Sequence, residues 1–164
     1  MKEIKLSQWG KNRGKYVALV DDEDFDAINQ FKWCAVKGGN TFYARRKITV
    51  DGKHTLQYMH GAIMNGKGID HCDMNGLNNQ KNNLRFCTKS ENGMNMRKRE
   101  SVTATSIYKG VSFYKPYGKW KARLMINRKE IHLGYFDTEI EAAKAYNAKA
   151  VELFLEFANL NNVG

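Results

Sequence analysis

Asp70 and His71 stand side by side, and Asn92 follows the histidine by twenty-one residues. Hydrolysing a phosphodiester near neutral pH needs an activated water, neutralised charge on the phosphate and help for the leaving oxygen. One imidazole and one divalent cation can provide all three. His71 suits the base, because an unperturbed imidazole titrates near working pH. Asp70 and Asn92 offer hard oxygen donors, which suit Mg²⁺ or Mn²⁺ better than zinc. Neighbours on a strand point to opposite faces, so a bend at the strand end is needed to bring residues 70 and 71 to one phosphate.

The surrounding pattern supplies elements that could hold such a centre. Leu56 to Met59 reads as a strand, and Ile69-Asp70-His71 ends another. Asp73 to Asn83 is too polar and Asn-rich for a regular element and reads as a structured loop, since Asn and Asp bond their own backbone. Leu84 to Thr88 returns as a strand, and Thr88-x-x-Glu91 is a capping box that opens a helix. Upstream, Lys15–Val20 and Thr41–Ile48 read as strands. Asp21 to Asp24 suits the start of a helix carrying Phe25, Ile28 and Phe31. Nothing in this N-terminal segment offers a reaction centre.

The central stretch resembles the HNH nucleases of phage and intron homing endonucleases. The likeness is carried by Asp70-His71-Cys-Asp73-Met-Asn75-Gly-Leu-Asn78-Asn79, Asn82-Asn83-Leu84-Arg85 and Thr88-Lys-Ser-Glu91-Asn92. The resemblance implies a ββα-metal core, with His71 as general base and Asp70 and Asn92 on a single metal bridging the phosphate and the leaving 3′ oxygen. It implies Asn83 as the central Asn, which orients the base or braces the loop. Tyr58-Met59-His60 also fits, although Gly61 stands where the family usually has Arg. His54 and His60 are expected to be structural or peripheral.

The charge of +10 on 164 residues suits a polyanionic partner, and its distribution sharpens the point. Residues 97 to 133 hold ten Lys or Arg against Glu100 and Glu130, whereas residues 136 to 164 hold five acids against Lys144 and Lys149. Three strands (108–113, 119–126 and 130–133) precede a helix opened by a second capping box, Thr138-x-x-Glu141, with Ile140, Ala143, Tyr146, Ala150 and Phe154 on one stripe. A basic sheet backed by an acidic helix presents one face to phosphate. Tyr108-Lys109-Gly110-Val111, Gly118-Lys119-Trp120-Lys121-Ala122, Leu133-Gly134-Tyr135-Phe136-Asp137-Thr138 and Glu141-Ala-Ala143-x-x-Tyr146 resemble the APETALA-two type domain of plant ethylene-response factors. By matching positions, Lys109, Tyr114, Trp120, Arg123 and His132 are expected on or near the DNA face. Lys115, Lys119 and Lys121 are expected on phosphates. Ser112 and Met125 stand where the plant domains place base-reading Arg, so their target sequence does not carry over.

No apolar run approaches the roughly 20 residues that span a bilayer, and the first residues lack a signal-peptide stretch. A cytoplasmic chain acting on DNA, with no membrane partner, is therefore expected. Cys34, Cys72 and Cys87 form no CxxC pair, so no structural zinc is expected. Cys72 and Cys87 are expected to pack together beside the loop.

These readings combine into an α+β chain with an HNH nuclease domain over 1–96. Its ββα-metal core lies at about 55–96, behind an N-terminal α/β extension. A linker at 97–105 leads to a DNA-binding domain at 106–164, a three-stranded antiparallel sheet packed on one helix. The expected activity is metal-dependent hydrolysis of duplex DNA, of nicking or homing type, with no small-molecule cofactor. One active site per chain implies nicking unless two copies dimerise on DNA. The alternative is a non-catalytic DNA-binding regulator that retains an HNH scaffold; an RNA-directed protein is a further rival.

Overall fold

The computed structural model describes residues 1–7, 11–98 and 101–164. Arg99 and Glu100, both within the expected linker, lie outside the described residues. Elements are mixed and the sheets small and antiparallel, in keeping with the expected α+β class. The chain divides into two compact units, Met1–Cys87 and Thr88–Gly164.

In the first unit, β1 (Lys2–Lys5) pairs antiparallel with β2 (Val17–Val20). Helix α1 (Asp22–Asn29) follows, with Asp22, Glu23 and Asp24 in its first turn, where acids meet the positive helix end. A second sheet is formed by β3 (Cys34–Gly38), β4 (Thr41–Val50) and β5 (Lys53–Tyr58), in that order. Ile4, Leu6, Val20, Ile28, Trp33, Ala44 and Met59 make one buried core. The Trp33 indole donates to the Ile28 carbonyl at 2.9 Å, closing the end of α1 onto that core.

The stretch read as a strand up to Met59 stops at Tyr58, and a short helix α2 (Met59–Ile63) begins there. Met59 is fully buried as the first residue of that helix. Five helical residues are too few to leave a periodic signal. Beyond it, β6 (Ile69–His71) pairs antiparallel with β7 (Leu84–Phe86), matching Asp70 with Arg85 and His71 with Leu84.

The polar loop between β6 and β7 is pinned at several points. Leu19 donates to the Leu77 carbonyl and Asn79 donates to the Leu19 carbonyl, each at 2.8 Å, so the loop lies along β2. Asp21 accepts from Gln80 Nε2 and from the Lys81 backbone N–H, and the Lys81 ammonium reaches Glu23 and Asp24. The acids that suit the helix start thus also anchor the far end of the loop. Cys72 is exposed and Cys87 half-buried, so the expected packing of the two thiols in a core is not found.

The second unit opens with α3 (Lys89–Asn95), whose Thr88/Glu91 capping box is formed. By packing, this helix belongs with the second unit, while the sequence pattern groups it with the nuclease motif. Then come β8 (Val111–Tyr114), β9 (Lys119–Ile126), β10 (Lys129–Phe136) and α4 (Glu139–Phe154), the last behind its own capping box at Thr138/Glu141. The sheet order is β10-β9-β8, all antiparallel. Ala142, Ala143, Tyr146, Ala150 and Phe154 of α4 are buried, but Ile140 is not, because the stripe passes through Ala142.

Candidate active site and basic sheet face

His71 is buried at the end of β6. Its Nε2 lies 3.5 Å from Asn79 Oδ1. The Asn79 amide donates through Nδ2 to the Leu77 carbonyl, so only its oxygen is presented to the ring. An amide oxygen at Nε2 favours the tautomer that carries its proton there. Burial lowers the His71 pKa, against opposing pulls from the Asn79 hydrogen bond and from Asp73 and Asp70. The imidazole is therefore neutral, the form a base requires.

Aromatic rings frame it. Tyr43 from β4 is 5.7 Å from His71 between centroids, and His60 from α2 meets it at 5.0 Å. Tyr58 stacks on His60 at 5.3 Å. Burial, then the neighbouring His71, hold the His60 pKa down at about 4. Two expectations change here. The N-terminal segment does contribute to the site, through Tyr43, and His60 touches the candidate base. A lone aromatic or histidine in a sequence gives no sign of such proximity, since contact across separate elements leaves no pattern.

Asp70 carries a salt bridge from Arg85, with Nη2 2.8 Å and Nε 3.2 Å from the same Oδ2. Both side chains are largely buried. The guanidinium faces the carboxylate because the two residues are register partners across β6 and β7. Arg85 belongs to the HNH-like motif, and its position in β7 opposite Asp70 gives it this role.

Asn83 is buried, and its side chain bonds only within the loop. Nδ2 donates to Asp73 Oδ1 at 2.9 Å and to the Asn78 carbonyl at 2.8 Å, while Oδ1 accepts from the Asp73 backbone N–H. Asp73 also accepts from Asn78 and from the Asn75 backbone N–H. Burial acts to raise the Asp73 pKa, but the hydrogen bonds from Asn78, Asn75 and Asn83 together bring it below the usual value. Asn79, rather than the expected Asn83, presents its amide oxygen to the histidine ring. Asn92 lies on α3 in the second unit and is exposed. Among the described residues, no three His, Cys, Asp or Glu side chains group as a metal cluster. Any cation here would rest on fewer protein donors, and a carboxylate with an amide is a hard oxygen set.

In the second unit, strand alternation separates the residues expected on the DNA side. Ala122 and Leu124 of β9 are buried against α4, so Lys119, Lys121 and Arg123 occupy the opposite, open face. Register places Tyr114 beside Lys119, Tyr135 beside Lys121 and His132 beside Arg123. A register shift between His132 and Gly134 brings both His132 and Tyr135 to this face. Their rings are 4.7 Å apart, and Tyr135 lies 5.2 Å from Tyr114 and 4.9 Å from Tyr117. Tyr117 and Tyr135 were not among the expected residues; a bulge cannot be read from the sequence alone. Lys115 is exposed in the turn after β8.

Two expected DNA-side residues lie elsewhere. Trp120 alternates to the α4 side and packs edge-on to Phe113 at 5.2 Å. Lys109 directs its ammonium to the carbonyls of Met94 and Met96, at 2.7 and 2.6 Å, at the C-terminal end of α3. A cation there satisfies carbonyls that no helical N–H reaches. The open face is also less cationic than its residue count. Lys121 and Arg123 both bond Glu130 at 2.6 Å, and Lys119 pairs with Asp137.

A buried neutral imidazole, at the end of a paired strand and beside an amide-braced loop, has the chemistry a general base requires. The HNH endonuclease family profile matches residues 54–94. An HNH endonuclease of Acanthamoeba polyphaga mimivirus is 30% identical over 161 residues, covering 94% of this chain and 79% of the relative. The chain belongs to the HNH endonuclease family. It also shows partial similarity to plant proteins. An AP2-like ethylene-responsive transcription factor of Arabidopsis thaliana is 32% identical over 88 residues, 50% of this chain and 16% of the factor. An APETALA2-like protein of Oryza sativa subsp. indica is 39% identical over 72 residues, 42% of this chain and 16% of that protein. No helix among the described residues is long and apolar enough to cross a membrane.

Proposed function

We propose that this protein is a metal-dependent endonuclease of duplex DNA, with a ββα-metal catalytic core and an APETALA-two-like module that holds it on its substrate. The observation that carries the reading is the buried, neutral His71 with Asn79 at Nε2. Nδ1 accepts a proton from water, the ring holds that proton as imidazolium, and Asp70 and Asp73 stabilise the charge. Asn83 braces the loop that carries Asn79, so it acts on the base through that loop. Asp70 and Asn92 are the metal ligands of this reading, on donor chemistry. A bound Mg²⁺ or Mn²⁺ would neutralise phosphate charge and assist the leaving oxygen.

DNA is the substrate because the second unit offers a cationic, aromatic open face. Tyr114, Arg123 and His132, with Lys115, Lys119 and Lys121, face the duplex, the lysines contacting phosphates. Lys109 and Trp120 support this face from behind. One site per chain nicks a single strand, and two chains together cut both, in the manner of homing or phage nucleases.

The test is supercoiled plasmid incubated with Mg²⁺ or Mn²⁺. Relaxation by the wild type and none by His71→Ala, with DNA binding retained, supports the enzyme. Equal relaxation by the variant removes His71 as base. Tight DNA binding without any cleavage by either protein turns the reading to a non-catalytic regulator.

A further inference from the structure

His60 sits at the hub of the rings around the candidate base. It stacks on Tyr58 with planes at 14°, meets the His71 ring edge to face at 5.0 Å and 86°, and lies 6.0 Å from Tyr43. Tyr43 in turn meets Tyr58 at 5.9 Å and His71 at 5.7 Å, so the four rings close on one another. They come from four elements, β4, β5, α2 and β6.

The hub is held from behind. Met59, fully buried, seats the start of α2 in the first core and so fixes the backbone at His60. Gly38 and Gly76 leave room for the Tyr43 ring, since a Cβ there would come within 2.8 Å and 2.5 Å of it respectively. The hydrogen bond on His71 is slack by comparison. Its Nε2 lies 3.5 Å from Asn79 Oδ1, beyond the roughly 2.7–3.2 Å usual for an N–H donor and an oxygen. A bond that long favours one tautomer but holds the plane of the ring loosely. An edge-to-face contact can hold that plane, because ring quadrupoles favour this tilt over a face-to-face one. His60 is also uncharged at working pH, with burial and then the neighbouring His71 keeping its pKa at about 4. A cation beside His71 would oppose the imidazolium that forms there, whereas a neutral ring does not.

Resting on the reading of His71 as base, we propose that His60 is a positioning residue. Its edge-to-face contact holds the plane of the His71 ring, so that Nε2 stays at Asn79 and the other ring nitrogen keeps one direction. Tyr43 and Tyr58 brace His60 in turn. The role needs an uncharged aromatic ring, not an imidazole as such, and it takes His60 out of the periphery where the sequence placed it.

Two variants of the full chain separate the ring from its bulk. His60→Leu keeps apolar volume and removes the ring, while His60→Phe keeps a ring edge and face. On supercoiled plasmid with Mg²⁺, His60→Leu should lower kcat for nicking roughly tenfold or more and leave KM unchanged. His60→Phe should restore most of the lost kcat. In the metal-free protein, ¹³C relaxation of the His71 ring reads how firmly its plane is held, without any cleavage. The ring should be rigid in the wild type and in His60→Phe, and mobile in His60→Leu. Tyr58→Leu removes the ring stacked on His60 and should shift both readouts the same way by less; it decides the matter if His60→Leu does not fold. If the wild type does not nick, or His71→Gln nicks equally well, the reading of His71 as base fails, and the relaxation data still decide whether His60 holds the ring. A His71 ring as rigid in His60→Leu as in the wild type, an unchanged kcat in that variant, or equal losses in His60→Leu and His60→Phe would overturn the inference.

Discussion

The imidazoles of His60 and His71 meet edge to face, with centroids 5.0 Å apart and planes at 86°. His71 is buried and His60 half-buried, and that burial lowers the pKa of both. One comes from a helix start and the other from a strand end, so the contact couples the fold of the first unit to its candidate base.

Stability should therefore depend on pH below neutrality. The pKa of His60 falls from 6.5 in the unfolded chain to about 4 in the fold. Between those values the unfolded state holds a proton that the folded state lacks, so stability rises with pH and is lost as pH falls from 6.5 towards 4. The full contribution is about 3 kcal/mol, and His71 adds in the same direction. Urea denaturation at pH 7.5, 6 and 4.5 should show the decline, and His60→Gln should flatten it. An unchanged slope in the variant would place the effect elsewhere.

Asn79 should set the protonation of His71. In Asn79→Asp, a carboxylate replaces the amide oxygen at Nε2 and favours imidazolium, raising the His71 pKa by about one unit or more. The acid limb of kcat/KM for plasmid nicking should then move to higher pH. In Asn79→Leu, turnover should fall at least tenfold at all pH values, since the ring loses its orienting acceptor. A profile identical to wild type in both variants would dismiss Asn79 as a positioning residue.

Gly76 should tolerate no side chain. A Cβ there would lie 2.5 Å from Tyr43 Cδ1 and 2.6 Å from the Phe42 carbonyl oxygen. The backbone oxygen cannot turn aside, so Gly76→Ala should destabilise the protein by about 1–3 kcal/mol. Adding Tyr43→Ala should recover only part of the loss in thermal melts, because Phe42 remains.

Glu130 should restrain DNA binding. It accepts from Lys121 and Arg123, which hold its pKa at about 2, so both pairs persist across the usual pH range. Glu130→Gln releases two cations on the open face. Affinity for duplex DNA should rise, and the slope of log K against log salt should steepen by about one to two. Fluorescence anisotropy at several salt concentrations measures both. Weaker binding by the variant would show that the pairs order the face for DNA.

Local rules made much of this protein legible from its sequence. The two capping boxes at Thr88 and Thr138 and the structured polar loop are each set by residues within a few positions of one another. The Asp70-His71 pair and the family likeness are written there too. Tertiary structure alone decided what those residues touch. Only folding lays the loop along β2, seats Asn79 at Nε2 and brings Tyr43 and His60 to the base. A bulge in β10 turns Tyr135 outward, and Glu130 is paired with two cations that charge counting leaves open. Ring contacts and ion pairs form between side chains tens of residues apart, and chain-local periodicity carries no record of them.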